Sequence, residues 1–387
     1  MKKLNLSFIL SIFLLPTALA ATYTVNSEKQ FKEIIPVLVP GDEVLIKEGV
    51  YPNWSIEITG KGSLKAPICI KSENEGGVTF SGNLTKPVFN LLGSYLILKG
   101  INFKNCNLLK SSPLIIITNA DHCVITKCTF STNTAKVQYT PLVVFSGNST
   151  GNQISRCTFT SNVDNQDIQV KITKETSPLH TLIENNVFEN KAKVSWKNGN
   201  GGECVQVGQD PVLLGARVSK TTVRFNRFLR CNGEPEVVSN KSSSNTYFKN
   251  YFEDNDGELV MRGGHDCLID GNTFKGGSGA IRVNGTGHTI INNEISNIKT
   301  AIRLMYGMAK GKTDVGFYIA ASGCTLINNK IKQAHIGILI GDSKDADWTG
   351  KFDTVRYPSP VMQNIAPFDN KIERNIFMKT EKTILSL

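Results

Sequence analysis

The chain has 387 residues and a formal net charge of +10, with 43 Lys and Arg against 33 Asp and Glu. That length can bury a sizeable core in one to three domains. Nine cysteines, an odd number scattered through a large chain, argue against a disulfide framework, and no Cys-x-x-Cys spacing suggests zinc. Several fall in strand-like segments (Cys123, Cys128, Cys157, Cys267 and Cys324) and read as buried small apolar residues.

Lys2 and Lys3 precede an apolar run from Leu4 to Leu15, then Pro16 and the small-x-small site Ala18-Leu19-Ala20. This reads as a secretory signal peptide over residues 1–20, too short for a membrane span, with a mature chain from about Ala21. No later stretch is long and apolar enough to cross a bilayer. An exported protein, periplasmic or secreted, is a poor partner for nucleic acid. The basic charge then points to an acidic polysaccharide, with an ordinary basic surface as the alternative.

The segment Ser27–Val37 predicts a short helix, followed by a turn at Pro40-Gly41-Asp42 and a strand ending at Gly49-Val50-Tyr51. From there one phrase recurs: CVITKCTF ending at Phe130, QISRCTF at Phe159, LIENNVF at Phe188, VRFNRF at Phe228 and YFKNYF at Phe252. It continues as LIDGNTF at Phe274, TIINNEI at Ile295, TLINNKI at Ile331 and KIERNIF at Phe377. Intervals run 29, 29, 40, 24, 22, 21, 36 and 46 residues, a unit of 21 to 24 with loops inserted. Each phrase alternates apolar and polar residues, as a short strand with one face inward does.

Each later phrase holds an Asn near its end (Asn186, Asn226, Asn250, Asn272, Asn293, Asn329 and Asn375). Asn suits a tight left-handed corner, and stacked Asn side chains can bond one another. Three short strands and three turns per unit predict an all-β, right-handed parallel β-helix, its open end capped by the N-terminal helix. With no linker or composition break, residues 21–387 read as one domain. Loops are expected at Ser131–Thr140, Asp164–Ser177 and Met308–Tyr318, and a long insertion at Asp342–Pro367.

Glu234 and Glu236 are two apart, which on a strand puts them on one face, where Ca²⁺ would find oxygen ligands. Asn200 could add an amide oxygen from the preceding coil. Lys241 follows Glu236 by five residues, and Arg262 follows Lys241 by 21. If 21 residues make one coil, the two cations stack roughly 5 Å apart. Arg282 and Arg303 continue the series at 20 and 21 residues, a ladder suited to successive acidic sugars. His265 and His288, and Tyr306 with Trp348, are further substrate-contact candidates. A structural role for His288 and packing under a loop for the two aromatics stand beside that reading.

NGGE at Asn200–Glu203, the Glu-x-Glu with Lys241 five on, and Arg262 in VMRGGHDCLIDGN resemble polysaccharide lyase family 6, the alginate lyases and chondroitinase B. The resemblance covers nearly the whole mature chain. It implies a right-handed parallel β-helix and Ca²⁺ held by Asn200, Glu234 and Glu236. It also implies Lys241 as general base and Arg262 as general acid in β-elimination of a uronate polymer. Alginate is the first expectation and dermatan sulfate the second, with a monomer as the working form. Two departures stand out: Gln206 replaces an expected substrate-binding arginine, and Gly263 an expected histidine, with His265 two places later. A hydrolase or C5-epimerase on the same fold is one rival, although Asp254, Asp256, Asp266 and Asp270 show no coil-to-coil register. A polyuronate-binding protein without turnover is the other.

Overall fold

A computed structural model describes residues 20–212 and 215–387, so the segment read as a signal peptide lies outside the described residues apart from Ala20. The chain winds into a parallel β-helix. One face is a sheet of 13 strands following one another in sequence order from Thr22–Val25 to Lys371–Glu373. The remaining strands of each coil form a second, larger sheet that wraps the other sides. Repeated phrases pair in parallel: Phe130 with Phe159, Phe159 with Phe188, Phe188 with Phe228, and Phe228 with Phe252. Their rings stack at centroid spacings of 4.9 Å or less. This is the spacing of neighbouring strands, so each ring rests on the one below without strain.

The helix Glu28–Ile34 starts at Ser27, whose hydroxyl accepts the Gln30 N–H, and Pro36 turns its end into a 3₁₀ segment, Ile35–Val37. Its Phe31 is fully buried against the first coils, which closes that end of the core. All nine cysteines are free and eight are buried, as the sequence suggested.

The Asn side chains do form a ladder. Asn226 Nδ2 donates to Asn250 Oδ1 at 3.1 Å, Asn250 to Asn272 at 3.0 Å and Asn272 to Asn293 at 3.0 Å. Each Oδ1 also accepts the backbone N–H of the Asn one coil earlier. The left-handed residue is not the ladder Asn but the one before it, such as Asn185, Lys249 and Asn292. A buried side chain that caps two coils must point inward, so the turn falls to its exposed neighbour.

Two expected loops contain strands. Gln166–Val170 lies within Asp164–Ser177 and buries Ile168 and Val170, its polar Gln and Asp having masked the alternation. Thr134–Ala135 is a two-residue strand within Ser131–Thr140. Met308–Tyr318 is a loop, and the insertion at Asp342–Pro367 folds on itself through an antiparallel pairing of Ala346–Asp347 with Met362–Gln363. No helix among the described residues is long and apolar enough to cross a membrane.

Candidate active site

The site lies on the large sheet, where Gln166–Val170, Val205–Val207, Glu236–Lys241, Glu258–Gly263 and Gly279–Val283 stack in parallel. Gln169, Gln206, Ser239, Val260, Arg282 and Arg303 share one column. The expected four-cation ladder is therefore staggered. The register slips between Asn240 and Lys241, so Lys241 pairs with Gly263 and Arg262 is the extra residue. An extra residue leaves the ladder and re-aims its side chain. Here that brings Arg262 towards Glu236 rather than into line with Arg282.

Three carboxylates meet beside these cations. Glu203, Glu234 and Glu236 each place an oxygen within 4.8 Å of the other two, and all three are buried. The NGGE segment explains the glycines in its own motif. The N–H groups of Gly201 and Gly202 both donate to Glu234 Oε2, the second at 3.0 Å. A Cβ on Gly202 would sit 2.6 Å from the Gly233 carbonyl carbon, so only glycine allows that approach. Glu203 accepts from Gln166 Nε2 at 2.8 Å and from Gln206 Nε2 at 2.6 Å. Lys241 Nζ stands 3.4 Å from Glu203 Oε1 and 4.0 Å from Glu236 Oε2. Arg262 Nη1 donates to Glu236 Oε1 at 3.0 Å, and Arg282 Nη2 reaches the same oxygen.

The charges divide the trio. Burial and the neighbouring Glu203 and Glu236 push the Glu234 carboxyl up to about 9. Burial acts the same way on Glu236, but Arg262, Arg282 and Lys241 outweigh it and hold that carboxyl well below the usual range. Burial of Arg262 is likewise overcome by Glu236, which keeps the guanidinium protonated beyond its ordinary value. A divalent cation such as Ca²⁺ fits this donor set. Every ligand atom is a hard oxygen, and three buried carboxylates within 4.8 Å of one another suit a positive charge between them.

The site opens into a cleft of about 990 Å³ lined by Asn200, Glu203, Gln206, Glu234, Lys241 and Arg262. Tyr139 lines it too, its hydroxyl 3.5 Å from Asn198 Nδ2. The loop and the insertion add Phe317, Trp348, Lys351, Phe352, Arg356 and Tyr357 to the cleft lining. The Arg262 guanidinium lies 5.2 Å from the Phe317 ring centroid and 5.0 Å from that of Tyr318.

Five sequence candidates stand elsewhere. Arg282 does not line the cleft but braces Glu236 from beneath. Arg303 is bound to Glu258 and to Asp342 at the base of the insertion. His265 faces Asp266, which Lys312 also holds, outside the cleft. His288 is fully buried, its Nδ1 accepting the Cys267 N–H at 3.2 Å and its Nε2 against the Asn284 carbonyl at 3.2 Å. It is a corner residue of the stack. Tyr306 is buried, its carbonyl accepting from Gln363. Trp348 lines the cleft while its indole N–H donates to Gln363 Oε1 at 2.7 Å.

Sequence reasoning assigns Glu203, the last residue of the NGGE motif, no ligand role, because a lengthened coil hides its alignment with Glu236. Tyr139 carries no local signal. The aspartates a hydrolase would require (Asp254, Asp256, Asp266 and Asp270) do not line the cleft.

Comparison with known proteins agrees with this geometry. The family model for chondroitinase B matches residues 25–385. A family 6 polysaccharide lyase from Pseudopedobacter saltans is 22% identical, with a TM-score of 0.78 over 92% of this chain and 85% of that one. A mannuronic acid-specific family 6 lyase from human gut microbiota is 25% identical, with a TM-score of 0.73 over 94% of this chain and 82% of that one. A family 6 alginate lyase solved with a trisaccharide is 18% identical, with a TM-score of 0.75 over 96% and 85% of the two chains. No curated protein matches the chain. With a family model spanning almost all of its length and a fold shared with those lyases, the chain belongs to the chondroitinase B family, within polysaccharide lyase family 6.

Proposed function

We propose that this lyase cleaves a uronate-containing polysaccharide by Ca²⁺-dependent β-elimination outside the cytoplasm, with alginate as the first substrate and dermatan sulfate as the second. The observation that carries the reading is the meeting of Lys241 and Arg262 on Glu236 at the floor of one cleft, with Glu203 and Glu234 beside them. The mannuronic acid-specific relative favours alginate, and the family model favours dermatan sulfate.

When bound, Ca²⁺ held by Glu203, Glu234, Glu236 and the Asn200 amide supplies positive charge to the uronate carboxylate, beside which the C5 proton is otherwise very weakly acidic. Lys241 Nζ, 3.4 Å from Glu203 Oε1, takes that proton as the general base. The C5–H electron pair becomes the C4=C5 double bond, the C4–O4 bond breaks, and O4 takes up a proton. Arg262 is a poor source of that proton, since Glu236 binds the charged guanidinium tightly. It serves as fixed positive charge facing the developing anion. Tyr139 is a cleft hydroxyl that can give the proton: burial keeps it protonated, opposed by Asn198 and Asn200. Gln206, standing where the resemblance expects a substrate-binding arginine, is bonded to Gln169 at 2.7 Å, so this part of the cleft presents neutral amides rather than a cation.

The test is ultraviolet absorbance of the unsaturated uronate over polymannuronate, polyguluronate and dermatan sulfate, with and without chelator. Wild type should give product on one of these only with Ca²⁺, and Lys241→Ala should give none while still binding polymer. Binding without product in the wild type would identify a polyuronate-binding protein instead.

A further inference from the structure

We propose that the corner of the β-helix carrying Phe225 is a second, non-catalytic binding surface for an acidic polysaccharide. The inference rests on the polyuronate reading above for the class of ligand. It starts from a residue the turn does not explain. The corner is built by one left-handed residue per coil: Lys127, Arg156, Asn185, Phe225, Lys249, Gly271, Asn292, Asn328 and Arg374 all have φ between 50° and 65°. Apart from the glycine, every one is polar except Phe225. A bulky ring is a poor choice for positive φ. Burial does not compensate, because Phe225 is 41% exposed.

The neighbours of that ring make a pattern. Phe248, one coil on, packs edge-on against Phe225 with centroids 5.6 Å apart. The Arg224 guanidinium lies 5.6 Å from the Phe225 centroid, Lys249 Nζ 5.0 Å from that of Phe248, and the Arg227 guanidinium 5.7 Å from that of Tyr251. Arg224 pairs in register with Phe248, and Arg227 with Tyr251, so three rings and three cations alternate over two coils. Arg224 is also tied to Glu184 at 2.7 Å. Arg227 and Lys249 are exposed, and neither is ion-paired with a described carboxylate. Arg156 extends the positive line towards the N-terminal end along the same corner. None of these residues lines the catalytic cleft.

This chemistry recognises an acidic sugar chain. The C–H face of a pyranose lies on an aromatic ring, and its carboxylate or sulfate meets the adjoining guanidinium or ammonium. Coils repeat about every 4.8 Å, so a chain lying along the corner meets a ring or a cation at each step. A polymer held there stays at high effective concentration for the cleft of the same molecule.

Two double variants test this: Phe225→Ser with Phe248→Ser, and Arg227→Ala with Lys249→Ala. Each is made in the full chain and, for binding, also with Lys241→Ala. The probes are high-mass polymannuronate, dermatan sulfate and short oligosaccharides cut from each. Both variants should bind high-mass polymer about fivefold or more weakly, the scale of losing two ring or cation contacts. Turnover of short oligosaccharides should stay at the wild-type level, which also reports an intact fold. Polymer affinity equal to wild type in both variants would overturn the inference and leave the lyase reading untouched. Absence of product from every oligosaccharide would count against the lyase reading alone, because binding is measured directly. A wild-type dimer that either variant converts to monomer would assign the patch to contact between copies and overturn the proposal.

Discussion

Arg262 and Tyr139 show how single side chains divide the work of the site. Arg262 is the extra residue of a register slip and is locked to Glu236, so it is well placed to hold charge and badly placed to release a proton. Tyr139 lines the same cleft with a hydroxyl that burial holds protonated until it is used. Loss of a general acid costs roughly 10²- to 10⁴-fold in turnover. Tyr139→Phe should therefore lower kcat by about that factor while KM stays within about twofold, measured by initial rates of unsaturated product. A variant with wild-type kcat would remove Tyr139 from the mechanism. The residue types and spacing around Glu234, Glu236, Lys241 and Arg262 were legible because a strand and a coil have fixed periods. Glu203 as a member of the carboxylate trio was not, since an inserted loop separates it from Glu236 in sequence. His288 left a cleft role and a structural one both open for a different reason: a strand phrase shows alternation but not which side of a corner faces the core.

At the scale of elements, the strands are short and the corners hold them in register. Asn250 occupies the middle of the ladder, donating to the Val223 carbonyl at 2.9 Å and to Asn272, and accepting from Asn226. Asn250→Ala would leave buried N–H and C=O groups on two coils without partners, at about 1–3 kcal/mol for each. A loss of at least about 3 kcal/mol is expected from denaturant midpoints, against about 0.5 kcal/mol or less for the exposed neighbour Lys249→Ala. Equal effects at the two positions would mean the ladder contributes little. The coil itself was readable from the recurring phrase. Gln166–Val170 was not, because its outward face supplies amides to the active site and so broke the expected pattern of a core strand.

For the molecule as a whole, acid stability depends on a residue far from the chemistry. Burial lowers the His288 pKa from 6.5 to about 4. Its bonds to the Cys267 N–H and the Asn284 carbonyl suit the neutral ring with the proton on Nε2. Above pH 6.5 neither folded nor unfolded chain carries that charge, and the stabilisation is complete. As pH falls the unfolded chain binds the proton first, so stability drains between 6.5 and about 4, by on the order of 3 kcal/mol. His288→Asn supplies the side chain used at other corners and should flatten that part of the melting profile. A slope unchanged between pH 7 and 4 would place the acid-sensitive group elsewhere.

The intervals between repeats range from 21 to 46 residues, yet the Asn-to-Asn bonds from Asn186 to Asn375 span only 2.9 to 3.1 Å. The extra chain is spliced in away from the ladder, in segments such as Asp342–Pro367 that face the cleft. Folding and substrate choice are thus written in separate parts of each coil. The ladder sets the pitch, and the loops can be exchanged without resetting it. A polysaccharide lyase built this way can trade one polymer for another by replacing a wall of its cleft while the scaffold beneath stays the same.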